Sequence, residues 1–325
     1  MDAYTIARAL AAYGVAHAHI LQPEKGYRNE SRAVRLADGR MANLIVYKRE
    51  TGITEKIKSA GYVSGFLAAQ GLPVRHALDP RILMMRSHAT TRYAGLYNYL
   101  PGHTIPWEAY SKEHIKNLGG MLSAMHAATS TLERSLLPEA ASEYQGIVRR
   151  MHSYFTQPDI QQAIQHKLGV ATPPAAAIRA ERLLAACAGL PQQQALHLDF
   201  VRGNILFDSA ARITGILDFE KAAWGHPLLD VARTLAFLLV DCKYKSEMAV
   251  RKYFLVSGYN KRGHARLKGG ARLLEELINL FLLHDFYKFL CHSPYESLPW
   301  NEHFVRTRTL MLKRGLLTNT DATIK

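Results

Sequence analysis

A chain of 325 residues with 48% hydrophobic content is long enough to bury a full core and to divide into two domains. No window of 18 uncharged apolar residues exists, because the most apolar segment, 228–240, is interrupted by Asp230 and Arg233, so no helical membrane span is expected. The net charge of +14 favours an anionic partner, but the basic residues are dispersed in pairs such as Lys48-Arg49 and Arg149-Arg150, which reads as a solvated surface and not as a nucleic-acid stripe.

Spacing of Tyr4, Ile6, Ala7, Leu10 and Ala11 predicts a short amphipathic helix over residues 3–13, and Asp2 precedes it where a secretory signal would carry positive charge. A cytoplasmic protein is expected. Residues 15–21 and 31–36 read as strands around a turn-rich loop at 23–30, Asp38-Gly39 signals a type I′ hairpin, and 43–48 (NLIVYK) follows as a third strand. A helix is predicted over 53–70, closed by Gly71 and Pro73, and two more strands over 81–86 and 92–100. A small β-rich lobe therefore ends at Leu100-Pro101-Gly102.

Beyond this hinge the pattern is helical. Ser111 is a candidate N-cap for a helix carrying Ile115, Leu118, Leu122 and Met125, and further helices are predicted over 142–155, 158–168 and 175–188. Short apolar segments at 195–198, 205–207 and 213–217 read as strands, and helices resume over 228–241, 245–257 and 271–290. Cys187, Cys242 and Cys291 stand far apart with no CxxC pair, which points to buried free thiols and neither to disulfides nor to a thiolate metal site.

The polar residues of the stretch 195–230 carry the chemistry. Asp199 and Asn204 lie five residues apart across a loop, and Asp218 ends the following apolar strand. One carboxylate and one amide facing a second carboxylate suit a hard cation such as Mg²⁺, with Asn204 and Asp218 as ligands. Asp199 is then left to orient, and accept the proton of, an attacking hydroxyl.

These segments, HLDFVRGN and ITGILDFE, resemble the catalytic and metal-binding motifs of the aminoglycoside phosphotransferase and choline kinase family, relatives of the protein kinases. The likeness continues in WGHPLLDVA, where Asp230 matches an aspartate that braces the catalytic loop, and in LGGMLSAMH, similar to the first large-lobe helix. It implies an α+β, bilobal protein-kinase-like fold, with a small nucleotide-binding lobe at 1–100 and a large, mostly helical lobe at 101–325 that holds the acceptor. It also implies ATP and Mg²⁺ as cofactors and transfer of the γ-phosphoryl group to a hydroxyl of a small molecule. Gly26 and Asn29 of the loop GYRN, Lys48 at the end of the third strand and Tyr99 of YLPG would then contact the nucleotide.

Where relatives carry a helix glutamate to pair with the lysine, this chain has Ala60; Glu50 and Glu55 are the nearest acids, and Glu55 is the expected partner. Arg202 is either a neutraliser of the phosphoryl group in flight or a solvent-facing loop arginine. His197, His126 and His226 read as structural residues. Acceptor candidates are Asp241, Tyr244, His284, Asp285, Tyr287 and Lys288, each weighed against a surface or helix-packing role, and Trp107 and Trp300 read first as core or rim packing, with stacking on a ring or cation as the alternative. The overall basicity is a poor match for a polycationic aminoglycoside, so a small metabolite ranks first. A pseudokinase without turnover and a nucleic-acid or anionic-membrane binder are the alternatives.

Overall fold

The computed structural model of the chain describes residues 3–21, 24–25, 29–86, 91–172, 175–261 and 270–320. They form two compact units, Met1–Thr104 with Asn204–Ala222, and Ile105–Gly203 with Ala223–Lys325. The hairpin after Asn204 thus packs with the first unit, although chain order groups it with the helical part from 101 onward.

The first unit is built on an antiparallel sheet. Its elements are α1 (Ala3–Ala12), β1 (His17–Ile20), β2 (Glu24–Lys25), β3 (Glu30–Leu36), β4 (Met41–Val46), α2 (Ile53–Ala69), β5 (Leu83–Arg86) and β6 (Thr91–Asn98). Strand order is β1-β3-β4-β6-β5, with β2 added to β3. Side chains alternate across a strand. Val34, Leu36, Ala42, Leu44, Val46 and Leu96 accordingly face Ile6 and Leu10 of α1 and Tyr13 just after it. Ile45, Tyr47 and Tyr97 pack from the other face with Ile53 and Ile57 of α2. The turn between β3 and β4 is not type I′. Leu36 O accepts from Gly39 N–H at 3.0 Å, and only Gly39, at φ 86°, adopts the left-handed region that type I′ requires of Asp38 as well.

Ile205–Phe207 and Ile213–Ile216 form the antiparallel hairpin of this unit. It is tied to the segment after α2 by Arg75 N–H to Ile216 O and Ile216 N–H to Pro73 O, both 2.8 Å. Gly102 has to be glycine here. Its φ is 119°, and a Cβ would lie 2.3 Å from Thr214 Oγ1 and 2.9 Å from Phe207 O.

In the second unit, α3 (Lys112–Thr129) starts at the Ser111 cap, where His114 completes a capping box. It is followed by α4 (Ala140–Phe155), α5 (Pro158–Leu168), α6 (Ala175–Ala188), α7 (Pro227–Asp241), α8 (Glu247–Arg251), α9 (Ala271–His292) and α10 (Glu302–Lys313). The helix expected over 245–257 is instead α8 running into a wider π-helical stretch, Lys252–Tyr259. That stretch lies against α3 at Gly119, where a Cβ would meet Phe254 O at 2.1 Å, which accounts for one glycine of LGGMLSAMH. Nearly every residue of α7 is buried. Cys187 and Cys242 are buried as expected, whereas Cys291 is exposed. Among the described residues no helix is long and apolar enough to cross a membrane.

Candidate active site

In the second unit the short strand Gln194–Leu196 pairs with Ala223–Gly225 and delivers the chain to His197 and Asp199. Leu198, between them, is held at φ 56°, in the left-handed region that costs a branched side chain about 1 kcal/mol or more. The fully buried carboxylate of Asp230, in the first turn of α7, holds it there by accepting from His197 N–H at 2.7 Å and Leu198 N–H at 3.0 Å. His126 of α3 donates from Nε2 to the same carboxylate at 3.2 Å, and its Nδ1 lies 2.6 Å from the Tyr259 hydroxyl. Burial opposes ionisation of Asp230, yet these hydrogen bonds and the nearby His126 and His197 hold its carboxyl below the usual range. His197 accepts from Asp199 N–H through Nδ1 at 3.1 Å and is 1% exposed. Both histidines therefore brace the loop, and His226 caps α7 by accepting from Leu228 N–H.

Asp199 itself is half-buried, and its Oδ1 accepts from Nη2 of Arg233 at 3.1 Å. Arg233 lies one turn along α7 and is 4% exposed. Its guanidinium rests 5.2 Å from the Phe237 ring and 5.7 Å from the Phe281 ring.

Arg202, three residues on from Asp199, stacks over Trp107 at 4.9 Å, with Nε 3.7 Å from Asp241 Oδ2. His303 of α10 joins this group. Its Nε2 donates to Asp285 Oδ2 at 2.8 Å, its Nδ1 is 3.9 Å from Asp241 Oδ1, and its ring meets Trp107 edge-on. Burial pushes the Asp241 carboxyl up, against the pull of Arg202 and His303. Of the acceptor candidates, Asp241, Asp285 and Trp107 are thus brought together. Tyr244 and Trp300 are exposed at 72% and 89%, His284 and Tyr287 pack edge-on against Tyr144 and Tyr154, and Lys288 faces solvent. His303 went unassigned because α10 lies beyond the last helix that the periodicity marked.

The remaining predicted residues lie in the first unit. Asn204 and Asp218 flank the hairpin at its open end, since Ile205 pairs with Ile216 and Leu217 N–H donates to Asn204 O at 2.8 Å. Asp218 is another non-glycine residue in the left-handed region, at φ 56°. Asn29, opposite the end of β4, accepts from Lys48 N–H at 3.1 Å and donates to the Glu220 carboxylate. Glu220 follows Asp218 by two residues and was not singled out from sequence. Lys48 is exposed just past β4. The structure does not bring it together with Glu55, which accepts from Thr54 Oγ1 at 2.9 Å, and Glu50 takes Lys56 at 2.6 Å. Tyr99 is 39% exposed where β6 leaves the sheet. Gly26 lies outside the described residues.

One amide oxygen and one carboxylate at the end of a hairpin fit Mg²⁺, which takes oxygen ligands and completes its shell with water and phosphate. Among the described residues no group of three or more His, Cys, Asp or Glu is placed to hold a metal ion.

Residues 19–253 match the model of the phosphotransferase enzyme family. The chain belongs to that family. This phosphotransferase is similar in fold to an amicoumacin kinase in complex with AMP-PNP, Ca²⁺ and Ami (13% identity, TM-score 0.72, covering 97% of this chain and 94% of that one). It is also similar to a microcompartment-associated aminopropanol kinase (15%, 0.67, 97% and 99%). A third likeness is to the macrolide 2′-phosphotransferase apoenzyme from Brachybacterium faecium (20%, 0.58, 91% and 97%). At these identities the likeness is one of fold. No curated protein matches. The phosphotransferase therefore has the protein-kinase-like fold, with an antiparallel sheet unit and a helical unit.

Proposed function

We propose that the enzyme transfers the γ-phosphoryl group of ATP to a hydroxyl of a small molecule in a Mg²⁺-dependent reaction. The observation that carries this reading is the strained, braced loop at Leu198, which fixes Asp199 beside a buried guanidinium. A carboxylate so held orients an acceptor hydroxyl and takes its proton late in transfer. Asn204 and Asp218 hold the metal, which neutralises charge on the phosphates when bound. Lys48 sets an ammonium on the nucleotide beside Asn29, which accepts from its backbone N–H and is itself fixed by Glu220. Catalysis is then mostly placement and electrostatics.

The group Asp241, Asp285, His303, Trp107 and Arg202 stands on the helices next to the catalytic loop and would recognise the acceptor. Two carboxylates, shared with Arg202 and His303, suit a small acceptor bearing one protonated amine, an amino alcohol by class.

Titration calorimetry with ATP in the presence and absence of Mg²⁺ tests the nucleotide half of the reading. Lys48→Ala is expected to weaken binding roughly 10-fold or more, the worth of one charged contact. Asp218→Asn is expected to remove the Mg²⁺ dependence. Binding that ignores Mg²⁺ in the wild type contradicts the assignment of Asn204 and Asp218.

A further inference from the structure

Arg233 lies on the almost wholly buried helix α7, one turn after Asp230 and beside Leu229 and Ala236. Burying a guanidinium is costly, and an apolar side chain of similar size is usually as stable or more so at such a position. Yet the described partners of Arg233 are few. Nη2 donates to Asp199, while Nε is buried with no protein partner. The Phe237 and Phe281 rings hold the plane of the group from α7 and α9, and Tyr144 of α4 lies close by. Stability alone does not account for an under-satisfied buried cation whose hydrogen bond ends on the residue proposed to receive the acceptor proton.

We infer that Arg233 is a positioning residue: through Nη2 on Oδ1 it fixes the rotamer of the Asp199 carboxylate, so that the carboxylate meets the acceptor hydroxyl in one orientation. The inference rests on the phosphotransferase reading of Asp199. The charged and titratable groups facing the pair are Tyr144 from α4, Asp230 from α7, Asp285 from α9 and His197 from the loop. The neighbouring cation raises no barrier to proton transfer in the transition state, because proton release by the hydroxyl comes late in a loose phosphoryl transfer, where orientation counts for more than basicity. Burial acts against the charge on Arg233, but the Asp199 carboxylate helps hold its ionisation above the ordinary range, so the cation persists at every pH of interest. Burial pushes Tyr144 up to about 12, against the pull of Arg233, and it stays neutral.

The test uses the full-length chain and MgATP with water as acceptor, read as phosphate release, so it does not depend on the identity of the natural acceptor. Arg233→Met, close in volume and apolar, is expected to fold and to lower kcat roughly 10- to 100-fold, with the KM for ATP within about two-fold of wild type. Its acidic limb in the kcat–pH profile is expected to move to higher pH, because a carboxylate loses about 1 unit or more of stabilisation with its cation. Arg233→Lys is expected to restore most of both. Asp199→Asn/Arg233→Met should be no slower than Asp199→Asn alone, the non-additivity of two residues acting through one group. The inference is overturned if Arg233→Met keeps the wild-type kcat and pH profile. It is equally overturned if Lys and Met lose activity only in step with a fall in Tm and with no pH shift, the behaviour of a purely structural arginine. A wild type that binds MgATP but releases no phosphate overturns the reading of Asp199 beneath it, and the inference with it.

Discussion

Asp199→Ala is expected to lose activity and stability together. Removing a positioned carboxylate that accepts the acceptor proton costs roughly 10²- to 10⁴-fold in kcat. The same substitution strands Arg233, 4% exposed and with Nη2 deprived of its acceptor. Breaking a buried pair from one side typically costs about 3 kcal/mol, which corresponds to a fall in Tm of several degrees in a chain of this size. Asp199→Ala/Arg233→Met removes both charges and should recover most of that stability while remaining inactive. Thermal unfolding of the two single variants and the double variant, set beside phosphate release, separates the two losses. If Asp199→Ala unfolds at the wild-type temperature, the buried pair is not an energetic unit.

The second large effect is expected at Asp230. Its carboxylate accepts from two backbone amides and from His126 at full burial, so Asp230→Ala leaves three donors without that acceptor and releases Leu198 from its left-handed conformation. A loss of about 3 kcal/mol or more is expected, with kcat falling even at temperatures where the variant is folded, because the loop that carries Asp199 relaxes. The pH dependence has a defined sign. A carboxyl held below its ordinary range contributes stability that is present above about pH 4 and is lost as pH falls through its folded-state value. Acid unfolding of the wild type should therefore steepen below about pH 4, and Asp230→Asn should flatten that limb while sitting lower on the plateau. Chemical denaturation at a series of pH values reads both. An Asp230→Asn curve parallel to that of the wild type would show that Asp230 is not a source of the acid dependence.

What could be read beforehand is what depends on short spacings. Asp199, Asn204 and Asp218 lie within twenty residues of one another on a loop and a hairpin, and local sequence alone places Asn204 and Asp218 at the same end of that hairpin. The sheet lobe was legible for the same reason, since alternation and turn residues mark antiparallel strands one at a time. Long-range partners left no such mark. Glu220 reads as an ordinary acid after Asp-Phe until the fold sets it on Asn29, 191 residues earlier. Arg233 looks like one more surface cation in PLLDVARTL, and only the tertiary burial of all of α7 shows that it cannot be one. The expected Lys48–Glu55 pair followed from nearness in sequence, whereas Glu55 sits in the first turn of α2, where its own backbone amide and Thr54 engage it. Asp38-Gly39 was misread in turn type because one left-handed residue, Gly39, is enough to close that hairpin.

Transfer of label from γ-labelled ATP to small amino alcohols such as ethanolamine and choline tests the central claim most directly, with water as the control acceptor. The wild type should label an acceptor only when Mg²⁺ is present, Asp199→Asn should label none at a measurable rate, and Asp218→Asn should lose the response to Mg²⁺. Label transfer that survives both substitutions, or a wild type that transfers none to any acceptor including water, would contradict it.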